Sequence, residues 1–155
     1  MSKKHKWPPI IIGWREWIGL PDLDGACIKA KIDSGARTSS VHAWNIRTRR
    51  GPDGWQATFD LHPNQDDNSH VLTVTAPIIG MREIRSSSGH VQERIVIRTR
   101  LQLAERVWPI EMTLSRRDEM GFRMLLGRSA MRGGHVLVDP SRSFLAGNRP
   151  RKKHE

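Results

Sequence analysis

The sequence predicts an all-β protein, a single barrel or sandwich with one short helix near its C-terminal end. Three observations carry that prediction. Apolar residues alternate with polar ones at period two through most of the chain. Clusters of Gly, Pro, Asn and Asp interrupt the alternation at short intervals. Helical periodicity is nearly absent, and many short strands bounded by turns pack as layered or closed sheets.

The elements follow in order. Ile10 to Trp14 is rich in β-branched and aromatic residues, and Arg15 to Leu20 continues it as strand. Pro21 to Gly25 supplies a turn. In Cys27 to Ile32, Ile28, Ala30 and Ile32 share one face, while Lys29 and Lys31 share the other. Val41 to Arg50 reads as one strand, ended by Gly51-Pro52-Asp53-Gly54. Trp55, Ala57, Phe59 and Leu61 then point one way, and His62 to Ser69 is a polar loop. Val71 to Ile79 is a strand. Met81 to Arg100 is a long hairpin tipped by Ser86 to Gly89, and Leu101 to Thr113 another hairpin around Leu103 to Arg106. Ser115 to Gly121 is a turn or short helix. Met124 to Leu126 is a short strand, Ser129 to Met131 opens a helix stopped at Gly133-Gly134, and His135 to Pro140 is the last strand.

Length and composition bound the function. The chain has 155 residues, 37% hydrophobic and 27% charged. That suits one folded domain, here 9–147, between basic tails at 1–8 and 148–155. No apolar run approaches the roughly 18 residues that span a bilayer. The basic start lacks an apolar segment long enough for a secretory signal. With one cysteine, Cys27, no internal disulfide forms. The expectation is a cytoplasmic protein without a membrane partner. Its net charge of +10 favours acidic partners, either nucleic acid or acidic peptides.

Two segments carry the chemistry. The strand ending at Ile32 runs directly into Asp33-Ser34-Gly35. A carboxylate at a strand end can be held by a tight turn whose backbone N–H groups bond to it. Amide hydrolysis by carboxylates needs two acids sharing one proton, one of them acting as base toward water. A lone Asp-Ser-Gly is usually a surface turn. Here a clean strand precedes it, and a second element lies far downstream: Leu125-Leu126-Gly127-Arg128, a short helix, and a terminal strand.

With these residues the chain resembles the retropepsin-like aspartic peptidases, in which a hydrophobic-hydrophobic-Gly segment crosses beneath the catalytic turn. It is more similar still to a bacterial family of that fold long labelled ATP-dependent zinc proteases. The matching stretches include Ile12 to Trp17, Leu20 to Leu23, Lys29 to Ser39, Ser88-Gly89-His90, Trp108 to Glu111, Arg123 to Arg128 and Val138 to Pro140. The resemblance implies a retropepsin-like barrel. It makes Asp33 the catalytic acid, with Ser34 and Gly35 completing its turn. It places a substrate-binding flap at Ser87, Ser88 and Gly89, with Arg37 beside the site. Leu125, Leu126, Gly127 and Arg128 become the supporting motif. Because the chain has one such turn, it further implies a homodimer contributing one Asp33 from each copy. Relatives of this kind accompany ligases that add glutamate to proteins, including a ribosomal protein, which suggests acidic peptide tails as substrate. Arg37, Arg82 and Arg85 are candidates to contact them. One departure is notable. Retroviral enzymes carry an acid two positions after the motif glycine, paired with the downstream Arg. Arg37 stands there in this chain, so Arg128 needs another partner.

The zinc and ATP labels find no support in the residues. Neither a phosphate-binding Gly-rich loop ending in Lys-Ser/Thr nor a His-Glu-x-x-His helix is present. Asp66, Asp67 and His70 read as a solvated loop rather than a metal site. His42 and His90 read as surface residues, and the tryptophans as core and interface anchors rather than base-stacking platforms. No metal and no cofactor is expected. The alternative to a peptidase is a non-catalytic basic module binding RNA, the ribosome or an acidic protein.

Overall fold

The computed structural model describes residues 6–64, 69–85, 88–116 and 121–147. Its strands are β1 (Ile10–Gly13), β2 (Arg15–Leu20), β3 (Ala26–Ile32), β4 (Ser39–His42), β5 (Trp44–Gly51) and β6 (Gly54–Leu61). Then come β7 (Leu72–Arg85), β8 (Val91–Leu103), β9 (Arg106–Ser115), β10 (Met124–Leu126), the helix α1 (Arg128–Gly134) and β11 (Val136–Asp139). The all-β, retropepsin-like prediction with one short C-terminal helix agrees with this architecture.

Six strands close a barrel in the order β2, β3, β10, β4, β9, β8, with Gly19 opposite Gln102 joining β8 back to β2. From β8 the sheet continues outward through β7, β6 and β5. The long strand β7 makes that extension possible. Its first half, Leu72 to Pro77, pairs with β6, and its second half, Ile78 to Arg85, pairs with β8. A register shift between Ile78 and Gly80 marks the change of partner. Outside the barrel, β1 and β11 form a two-stranded parallel sheet.

Period two explains the core. Ile18 and Leu20, then Ile28, Ala30 and Ile32, then Ala57, Phe59 and Leu61 are buried, as are Ile110, Met112 and Leu114. Each set is one face of its strand. At β2 that inward phase also carries Glu16, which is fully buried. Its Oε2 accepts from the N–H groups of Gly13 (2.6 Å) and Leu145 (2.8 Å), and its Oε1 accepts from Ala146 (3.0 Å). A buried carboxylate is tolerable when its lone pairs are filled this way. Here it ties the segment after β11 to the barrel.

Some strand readings differ from expectation, among them that β7 (Leu72–Arg85) and β8 (Val91–Leu103) each run on through a boundary expected at residue 80 or 100. Ile10 to Leu20 is interrupted at Trp14, whose N–H bonds to Arg142 O (2.9 Å). Val41 to Arg50 is interrupted at Ala43, so that β4 belongs to the barrel and β5 to the extension. At Trp14 extended backbone merely changes partner and the alternation runs on, whereas at Ala43 the inward phase slips by one residue, from buried Val41 and Ala43 to half-buried Trp44 and Ile46, with Asn45 at φ 52°. Trp55 is 52% exposed although Ala57, Phe59 and Leu61 are buried. It stands at the turn end of β6, opposite Arg50, beyond the reach of the core. Of the segment read as a turn or short helix, Ser115 ends β9, and residues 117–120 lie outside the described set, as do Asp66 and Asp67.

Candidate active site

The segment between β3 and β4 is built by its neighbours. β10 inserts between those strands, parallel to β3 and antiparallel to β4, with Leu126 level with Ile32 and Leu125 level with Ser40. Where β3 ends, the Asp33 N–H donates to Leu126 O (2.8 Å). The chain then turns: Ala36 N–H donates to Asp33 O (3.2 Å), and Gly35 N–H donates to Asp33 Oδ1 (3.0 Å). The carboxylate is half-buried, whereas Ser34 and Gly35 are exposed. It therefore stands where the strand leaves the barrel, fixed on one oxygen by the backbone.

The turn is held from below. A Cβ on Gly127 would lie 2.7 Å from the Thr38 carbonyl carbon and 2.9 Å from the Ser39 nitrogen, closer than any side chain allows. Only glycine permits this approach. The Gly127 N–H donates to Ser39 Oγ (2.9 Å), Arg128 N–H to Ala36 O (2.8 Å) and Ser129 N–H to Arg37 O (3.1 Å). The Arg128 guanidinium reaches back over the turn, its Nη1 donating to Ser34 O (3.0 Å) and Gly35 O (3.3 Å). These carbonyls are the partner that the Arg128 guanidinium finds in place of the retroviral acid. Arg37 is exposed on the same loop.

The β7–β8 hairpin meets the loop from the other side. Arg82 Nη1 donates to Thr38 Oγ1 (2.7 Å), and its Nη2 lies 3.1 Å from Glu111 Oε2. Thr38, Arg82, Pro109, Ile110, Glu111, Ser129 and Ala130 line a cleft of about 190 Å³. At the hairpin tip Ser88 and Gly89 are exposed, Gly89 with φ 86°. Ser87 lies outside the described residues. Thus the structure gathers Asp33, Ser34, Gly35, Leu125, Leu126, Gly127 and Arg128 into one bonded unit, and brings Arg82 against it.

Two contributors escape the motif. Ser39 matters through one hydroxyl, a role no residue pattern announces. Glu111 sits on an outward position of β9, and only the fold places it against Arg82. Among the described residues no group of three or more His, Cys, Asp or Glu side chains is arranged to hold a metal. His42 stacks on Trp44 with ring centroids 3.7 Å apart, and His90 is exposed. No helix among these residues is long and apolar enough to cross a membrane.

Comparison with known proteins adds three findings. A family model described as RimB-like, the retropepsin-like aspartic endopeptidase RimB, matches residues 11–149. A protein named "Probable alpha-L-glutamate ligase" from Parasynechococcus marenigrum (strain WH8102) is 48% identical over 139 residues, covering 90% of this chain and 30% of that protein. Its namesake from Shewanella halifaxensis (strain HAW-EB4) is 48% identical over 138 residues, with 88% and 30% covered. The chain thus spans about 30% of the length of these curated relatives. A crystal structure of a protein of unknown function from Legionella pneumophila superposes with a TM-score of 0.72 at 24% identity, covering 88% of this chain and 98% of that one. That last likeness concerns the fold alone.

Proposed function

Since the chain belongs to the RimB-like family of retropepsin-like aspartic endopeptidases, we propose that it hydrolyses peptide bonds through a pair of Asp33 carboxylates. The observation that carries this reading is the Asp33 turn. One carboxylate oxygen is engaged by the Gly35 N–H, and the turn is pinned by Leu126, Gly127 and Arg128. A preorganised carboxylate of this kind is what general acid–base chemistry requires. One such turn per chain calls for a second copy, so the acting form is a homodimer. In it the two carboxylates share a proton. One takes a proton from water as that water attacks the peptide carbonyl, and the other donates to the developing oxyanion. The reaction as proposed uses no metal and no cofactor.

The proposed substrate is a glutamate-rich protein tail. Two arguments support it. The relatives named as glutamate ligases carry a segment like this chain within a longer protein. A ligase of that name makes bonds to glutamate, and a peptidase joined to it has such bonds within reach. The positive charge of the chain also suits a polyanionic peptide. Cytoplasmic action is part of the same proposal. The charge equally favours a second reading, a non-catalytic module for RNA, the ribosome or an acidic protein.

The test is cleavage of glutamate-tailed peptides followed by mass spectrometry, with wild type and Asp33→Asn, with and without EDTA. The expected result is cleavage that persists in EDTA and disappears in the variant, a loss of at least about a thousandfold. Equal activity in both proteins, or none in either, would move the assignment to the binding module.

A further inference from the structure

The β7–β8 hairpin sets like charges directly opposite one another. Arg82 faces Arg94, and Glu83 faces Glu93. Successive residues of a strand alternate faces, so the two arginines share one face and the two glutamates the other. Burial agrees. Arg82, Ile84, Gln92 and Arg94 are half-buried, whereas Glu83, Arg85, Val91 and Glu93 are exposed. The arginine face is the one turned to the Asp33 loop, because Arg82 bonds to Thr38.

Like charges directly opposite in an antiparallel pair destabilise it. Here partners answer both cations. Glu111 accepts from Arg82 at 3.1 Å, and Gln92 Oε1 accepts from Arg94 Nε at 3.0 Å. The Arg82 and Glu111 side chains are 36% and 46% exposed, which makes theirs a weak, exchangeable ion pair. The adjoining cleft has apolar walls at Pro109, Ile110 and Ala130 and a charged end at Arg82. Its volume of about 190 Å³ suits one side chain rather than a whole small-molecule ligand, which needs about 300 Å³ or more.

We propose that Arg82 and Arg94 form a carboxylate-reading subsite of the peptidase, with Glu111 as its built-in competitor. An acidic side chain of the bound peptide replaces Glu111 at Arg82, with Arg94 beside it on the same face. A neutral side chain does not displace Glu111. Arg82 and Arg94 are thus specificity-determining residues, and Glu111 sets how strongly acidic the peptide must be. This rests on the peptidase reading above. It adds which groups read the substrate's charge.

The experiment uses two peptides, one ending in consecutive glutamates and one with glutamines in their place. Binding is measured by calorimetry in an Asp33→Asn background, and kcat/KM in the Asp33 protein. Arg94→Gln should cut the preference for glutamate over glutamine about tenfold. Glu111→Gln should raise it, because the competitor is gone. Opposite signs separate the subsite from simple damage to the fold, which would weaken both peptides in both variants. Asp33-dependent cleavage with a preference unmoved by Arg94→Gln, or lowered by Glu111→Gln, overturns the subsite alone. Shifted binding preferences with no cleavage by any protein leave the subsite standing and refute the peptidase reading.

Discussion

Gly127 stands under the Asp33 loop without room for a single added carbon. The atoms it would strike belong to the backbone of Thr38 and Ser39, which cannot rotate away as a side chain would. Gly127→Ala should therefore cost about 3 kcal/mol, the upper end of what overpacking does. A lowered urea midpoint at unchanged slope would register it, and a variant as stable as wild type would show that the loop shifts freely. The position was legible through the resemblance to retropepsins, in which a glycine after two hydrophobic residues lies beneath the catalytic turn. What the turn offers Arg128 was not legible. A guanidinium bonded to the carbonyls of Ser34 and Gly35 depends on backbone direction, and residue type does not encode that. Glu16 was legible in principle. It occupies an inward phase of β2, where a charge must be answered by donors.

At the scale of elements, the outer sheet carries its own pH dependence. Asp60 on β6 accepts from Asn45 Nδ2 (2.8 Å) and Thr73 Oγ1 (2.7 Å). These hydrogen bonds hold its carboxyl below the ordinary value of 3.8. A carboxyl lowered on folding adds stability that is fully present above the unfolded value and lost as pH falls through the folded one. Thr73→Val removes one of the donors. The variant should melt below wild type near neutral pH, and the gap should close as pH falls through and below the ordinary value of 3.8. A gap constant across that range would assign the loss to packing instead. Strand identity was readable because alternation reports which face is buried. Strand pairing was not. The interruption at Trp14 leaves the alternation intact, and the slip of phase at Ala43 does not say which partner the following strand takes.

For the whole molecule, alternation alone left barrel and sandwich open. Closure rests on a local pairing, Gly19 with Gln102, which no periodic pattern contains. The resemblance to retropepsins decided between the two. The proposed homodimer needs an apolar contact, and the β1–β11 sheet presents one. Ile11 and Leu137 are partners in register, 59% and 52% exposed. Paired apolar side chains left in water mark association surfaces. Leu137→Glu should shift the protein to monomer in sedimentation and lower peptidase activity in proportion. A variant that stays dimeric would place the contact elsewhere. The same sheet also has a consequence for how the molecule comes into being. β1 and β11 lie near opposite ends of the described chain and pair side by side. Pairing segments so far apart in sequence carries a large loop-closure cost until the barrel between them has formed. β1 therefore stays a loose end while the barrel is already assembling, and pairs only once β11 is in place.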